Sequence, residues 1–338
     1  MNIFVDEAGV FVVPQKSLCA VSCVGALVLP EVLTEEILEG FSELKNAWGI
    51  SGAEVKGSRL GEREVSSLIK FLSGYDILFQ VTAIDMNMQT NPGLTNHRLL
   101  QAAKLLENLT DQHSKALVQQ VHELKEFSEK MQSQLYVQAA CTFELLYKVI
   151  QKATLYYSQR LPEELSEFYW SIDAKDKEIT PYEDFWTKVV LGALQSKSFR
   201  EPFIQLGEAD YSYFEKYLGA SPYPPEHLKD AVEEKDVFQF VSINDVYQKH
   251  LSFEQSYDDL GVQLVDILTT ATRRAMNGTL QIEGWGGIGR LMVQSERGAH
   301  AIQLIDLTDD ETFSYSKEPP YWAVMAIADR RSKAMLVD

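Results

Sequence analysis

Basic residues are in short supply: 31 Lys and Arg stand against 49 Asp and Glu, a net charge of −18. Such a surface repels phosphate, which disfavours indiscriminate coating of nucleic acid. A local basic groove, or cations neutralising an acidic site, remains compatible with it. Cysteine is scarcer still. Cys19, Cys23 and Cys141 are too few and too odd in number for a disulfide framework, and no nearby histidines complete a zinc site. Core thiols are the expectation. The apolar run 18–29 is too short to cross a bilayer. It follows acids rather than a basic leader, which argues against a secretion signal and makes a reducing cytoplasm the expected compartment.

What is present is an ordinary globular composition, 45% hydrophobic and 24% charged, over 338 residues. That length supports one large or two medium domains with a sizeable core. The first stretch, Asn2-Ile3-Phe4-Val5-Asp6-Glu7-Ala8-Gly9, organises the rest. Its short, β-prone apolar run closed by a glycine predicts a buried strand. A buried strand should end in two carboxylates only where they face water, a cation or a catalytic cleft. Asp6 shares a face with Phe4, and Glu7 points the other way.

Further strands are expected over 10–13 and 18–29, pairing back antiparallel on the first, then a helix from Pro30 to about Trp48. Glu54-Val55-Lys56-Gly57-Ser58 is a polar stretch before a helix over 62–73 and a strand over 76–85. From 95 to 161 proline and glycine are absent and apolar residues recur at helical spacing, predicting two long helices as a hairpin inserted into, or packed on, the sheet domain. The domain organisation read this way is 1–94 with 162–338 as an α/β domain and 95–161 as the hairpin. The second helix, 136–157, is apolar round much of its circumference, so it should be buried in the core or against another subunit. His97, His113 and His122 are scattered and read as solvated.

Glu167-Phe168-Tyr169-Trp170-Ser171-Ile172-Asp173 repeats the pattern of the opening, an aromatic strand ending in an acid. A helix over 182–195, an irregular acidic excursion over 201–236 and a strand over 237–243 follow. The helix 260–276 carries Gln263, Asp266 and Thr270 on one face, with Arg273 and Arg274 near its end. Asp266 sits among Val265, Ile267 and Leu268, where a carboxylate is costly unless paired or bound to metal. The glycine-rich 284–290 segment lacks the strand and helix that flank a dinucleotide fingerprint and reads as a flexible loop. Runs over 299–305 and 322–327 read as strands.

Asp6, Glu54, Asp173 and Asp266 can therefore converge at one edge of a sheet. Four carboxylates in one cleft repel one another unless cations intervene, and Mg²⁺ or Mn²⁺ suits such oxygen ligands. At this point the chain resembles a bacterial family of uncharacterised domains in the ribonuclease H-like superfamily. The matching residues are Phe4 to Gly9, the Glu54-x-Lys56-Gly57-Ser58 segment, and the Gln263-x-x-Asp266 helix with Arg273-Arg274. That family typically starts Asp-Glu-Ser-Gly, carries Glu-x-Lys and closes on a Gln-x-x-Asp helix; here Ala8 replaces the serine.

The resemblance implies an α/β fold, a ribonuclease H-like mixed sheet flanked by helices, with acids at its strand ends. It further implies Asp6, Asp173 and Asp266 as Mg²⁺ or Mn²⁺ ligands, with Glu54 completing the site. Asp176 competes with Asp173 for the fourth-strand place. Lys56, Arg273 and Arg274 would hold the scissile strand of a nucleic acid, RNA or DNA. The expected activity is two-metal phosphodiester hydrolysis, by analogy in defence against mobile elements. The competing reading is a non-catalytic scaffold that binds a partner protein, or a second copy of itself, through the 95–161 helices.

Overall fold

The first strand, β1 (Asn2–Ala8), sends Ile3 and Val5 into one hydrophobic core and Phe4 into another. A strand with apolar side chains on both faces must be covered on both faces. A computed structural model describes residues 1–15, 20–50, 54–107, 109, 114–174, 180, 182–183, 186–221, 238–294, 299–308 and 318–337. In it β2 (Val21–Leu29) pairs antiparallel with β1. Two helices follow, α1 (Glu31–Ala47) and α2 (Glu62–Leu72). The start of α1 has no side-chain cap of its own. The Glu164 carboxylate supplies one, accepting from the N–H groups of Glu31 at 2.7 Å and Val32 at 3.3 Å.

β3 (Leu78–Asp85) then pairs antiparallel with β2. Where the sequence predicts two long helices there are three: α3 (Asn91–Lys104), α4 (Lys115–Lys130) and α5 (Ser133–Tyr157). α3 begins earlier than the apolar periodicity suggests, because Thr90 caps it, accepting from Gly93 N–H at 3.1 Å, and a proline fits its first turn. α4 is a polar helix carrying the ion pairs Lys125–Glu129 and Lys130–Glu126. α5 is the buried one, lying on β2 and β3, as its apolar circumference demands. His97 meets the Tyr136 hydroxyl at 2.7 Å rather than facing solvent, His122 is exposed, and His113 lies outside the described residues.

β4 (Tyr169–Asp173) runs parallel to β1. A π-helical turn at Trp186–Val190 leads into α6 (Leu191–Arg200), so this helix extends past its expected end. β5 (Leu218–Ser221) and β6 (Phe238–Val241) form a separate antiparallel ribbon. After α7 (Ile243–Tyr247), β7 (Leu251–Glu254) runs parallel to β4, and α8 (Leu260–Met276) crosses β1 and β2. The short α9 (Ile282–Trp285), β8 (Ile302–Ile305) beside β3, and α10 (Pro320–Arg331) complete the chain. The protein is thus α/β, a mixed six-stranded sheet in the order β7-β4-β1-β2-β3-β8 flanked by helices. The core containing α5 covers one face, and the core containing α8 covers the other.

Three local expectations are corrected. No strand forms over 10–13: Gly9 and Phe11 both take positive φ, which breaks the extended chain and buries Phe11 while Val10 and Val12 face solvent. The 322–327 run is helical because Pro319-Pro320 opens α10 and Tyr321, Val324, Met325 and Ala328 fall on one helical face. The 284–290 segment is packed rather than loose, with Gly284 against Glu62 and a second helical turn at Ile288–Leu291. Cys23 and Cys141 are buried free thiols as expected; Cys19 lies outside the described residues. Among the described residues no helix is long and apolar enough to cross a membrane.

An ion cluster fastens the start of β4 to what surrounds it. Glu167 receives hydrogen bonds from Lys216 at 2.6 Å and from Lys249 at 2.9 Å, which hold its carboxyl down at about 2. A depressed carboxyl stabilises the fold above its unfolded value and stops doing so as pH falls through the folded one. Both lysines are roughly half exposed, so solvent screens the gain. Glu167→Gln is expected to cost about 1 kcal/mol at pH 7. The deficit should shrink as pH is lowered from about 4.5 to 2, read by urea melts across that range.

Candidate functional site

Val5 beside Ile172 is the last paired position between β1 and β4, and Asp6 and Asp173 are the next residue on each strand. Parallel neighbours in register share a face and lie about 4.8 Å apart. β7 extends the row, since Asp173 pairs with Glu254. Three acids therefore line the C-terminal ends of three parallel strands, on the face that carries Phe4. Glu254 is absent from the sequence candidates. Its signal was a four-residue alternation, Leu251-Ser252-Phe253-Glu254, ending in an acid as β4 does. Asp176, Lys175 and Lys177 lie outside the described residues.

α8 brings the fourth acid over this row. Asp259 starts the helix by accepting from the N–H groups of Gly261 at 2.7 Å and Val262 at 3.0 Å. The helix approaches very close to the strands. A side chain at Gly25, the partner of Asp6 on β2, would collide with the Thr269 hydroxyl. Gly261 packs on the Phe4 ring. Asp266, further along the helix, lies close enough to Asp173 for the two charges to interact.

Its carboxylate accepts from Gly57 N–H at 2.9 Å and from the Thr270 hydroxyl at 3.2 Å. Three residues earlier, Gln263 Oε1 accepts from Lys45 Nζ at 2.9 Å and Val55 N–H at 3.3 Å, while its Nε2 donates to Ser256 O at 2.8 Å. Arg274 donates to the carbonyls of Gly57 and Leu60 at 3.2 and 2.5 Å. The Gln-x-x-Asp spacing thus has a physical job: it clasps the Glu54-x-Lys56-Gly57 segment onto α8. Gly57 is required there, because a Cβ would stand 2.8 Å from the Ile267 backbone.

The clasp fixes the electrostatics. Lys56 pairs with Glu54, and both bond the Ser256 hydroxyl. Burial works to lower the Lys56 ammonium, yet Glu54, Asp266 and Asp173 together raise it above its ordinary value. Burial would push Glu54 up, but the bonds from Lys56 and Ser256 hold it below the usual carboxylate range. Asp266 goes the other way: burial, with Asp173 adding to it, raises its carboxyl despite Gly57, Lys56 and Thr270. Glu54, Asp173, Asp266 and Lys56 therefore share one field, and register places Asp6 beside Asp173.

The two arginines part company. Arg274 is committed to holding the loop. Arg273 lines a groove of about 560 Å³ with Val10, Val12, Ser22, Asn277 and Thr279, and its buried Nε has no hydrogen-bond partner among the described residues. Asn277 fastens that end of α8 to the sheet through Val21, at 2.9 and 3.0 Å.

As they stand, no three described His, Cys, Asp or Glu side chains gather closely enough to hold a metal ion. The donor chemistry nevertheless fits a hard divalent cation, since every acid of the group offers oxygen only. The Lys56 ammonium stands in the shared field of Glu54, Asp266 and Asp173 as the countercharge such an ion would supply. Compared with family models, with curated proteins and with solved structures, the chain finds no match in any of the three.

Proposed function

We propose that the protein is a metal-dependent phosphodiesterase acting on nucleic acid in the ribonuclease H-like manner. The observation that carries this reading is the union of distant acids: Asp6 and Asp173 in register on adjacent parallel strands, with Asp266 on α8 in the field of Asp173. The resemblance asks for an acid on the fourth strand beside the first, and β4 ends in one. Asp6, Asp173 and Asp266 would hold Mg²⁺ or Mn²⁺, and Glu254 is a further oxygen donor in the same row.

When bound, such ions activate an attacking water and stabilise the leaving oxygen. The protein's own groups do the rest. Glu54, kept ionised, is suited to orient the water and take its proton. Lys56 is the local cation that screens an incoming phosphate from the acids. Arg273, which lines the neighbouring groove, suits a second phosphate along the strand. Arg274 keeps the Glu54–Lys56 segment in place.

The test is cleavage of labelled RNA, DNA and RNA–DNA hybrid by purified protein in Mn²⁺ against a chelator. Cleavage that needs the metal, and that Asp6→Asn lowers by about three orders of magnitude, is the expected result. Metal-independent cleavage, or full activity in Asp6→Asn, overturns the reading.

A further inference from the structure

At the β8 edge of the sheet, three strands and roughly 14 Å from β1, a second cavity of about 660 Å³ opens between α5 and α10. Its volume lies in the range of small-molecule sites. In a chain of net charge −18 its lining holds no Asp or Glu among the described residues. Instead Lys148, Gln151 and Lys152 project from successive positions on one face of α5, and His300 and Gln303 stand across from them. Among the described residues two acids reach lining residues, and each is answered by that contact or another. Asp329 meets His300 at 2.5 Å, and Glu144, which accepts from Gln303 at 3.2 Å, is engaged by Lys197 at 2.7 Å. The Lys148 ammonium donates to Gln151 Oε1 at 2.9 Å and meets no carboxylate among the described residues.

The rest of the wall is aliphatic and thioether: Leu155, Ile204, Leu206, Met325, Met335 and Leu336. Ile204 and Leu336 are about half exposed at the rim, 45% and 52%, apolar surface that a ligand would cover. Methionines in such a wall adapt to a flexible chain. A cationic end joined to an aliphatic body is complementary to one kind of molecule. We propose that this cavity binds an amphipathic organic anion, an alkyl chain ending in a carboxylate or phosphate monoester, with the headgroup at Lys148 and the chain against Leu155, Leu206 and Met335. The inference is independent of the carboxylate site.

Isothermal titration of the full chain with decanoate, decyl phosphate, decanol and adenosine monophosphate tests it. One equivalent of decanoate or decyl phosphate should bind, the tighter of the two identifying the headgroup, with decanol at least about tenfold weaker. Lys148→Gln, on a half-buried side chain, should weaken the alkyl anion about tenfold. Equal binding of decanol, unchanged binding in Lys148→Gln, tighter binding of the nucleotide than of either alkyl anion, or no binding at all overturns the proposal.

Discussion

Asp266→Asn is expected to abolish metal-dependent cleavage, by about three orders of magnitude, while making the protein more stable. The two effects have one origin. Burial and Asp173 raise the Asp266 carboxyl, so the folded protein holds the ionised form at a cost. An acid raised on folding destabilises as pH climbs from its unfolded value through its folded one, and the cost persists above. Asparagine keeps the shape, and its oxygen can still accept from Gly57 N–H. A gain of about 0.5–2 kcal/mol at pH 7, vanishing below the unfolded aspartate value, is the expected urea-melt result. A variant that loses both activity and stability would mark Asp266 as a structural clasp and no more.

The second large effect is opposite in sign. Trp170→Ala should cost about 3–5 kcal/mol. The Trp170 side chain is wholly buried near the start of β4, stacked on Tyr247 with ring centroids 4.3 Å apart, and its indole donates to Val246 O at 3.0 Å. Removing it leaves a cavity and an unpaired carbonyl beneath the strand that carries Asp173. Cleavage should fall with it even where the variant is folded, because Asp173 loses its register with Asp6. Trp170→Phe, which keeps the ring but not the donor, should retain more than half of the lost stability. Equal losses in the two variants would assign the effect to the hydrogen bond rather than to packing.

The contrast between these two sites separates what is local from what is not. The helix carrying Asp266 was legible over 260–276, because residues at helical spacing are neighbours in sequence. β1, β2, β3 and β4 were legible because apolar runs bounded by turn residues have few other solutions. The helix α10 was read as a strand because six apolar residues in a row, 322–327, carry no period, and only its partners Ile288 and Met292 in the shared core show which side faces in. β7 went unread because four residues pair only when β4 is already there to receive them.

For the site, the chain by itself determined which residue types stand at strand ends and helix faces: Asp6, Glu54, Asp173 and Asp266, with the Gln-x-x-Asp spacing. Side-chain period is set within a few residues, which is why these positions were legible before any contact between them was known. Only the tertiary structure decided the strand order that brings Asp6, Asp173 and Glu254 into one row, the sharing of Lys56 among three acids, and the commitment of Arg274 to carbonyls and Arg273 to a groove. Those depend on register and on contacts across some two hundred residues, where the free energy comes from packing that no local stretch contains.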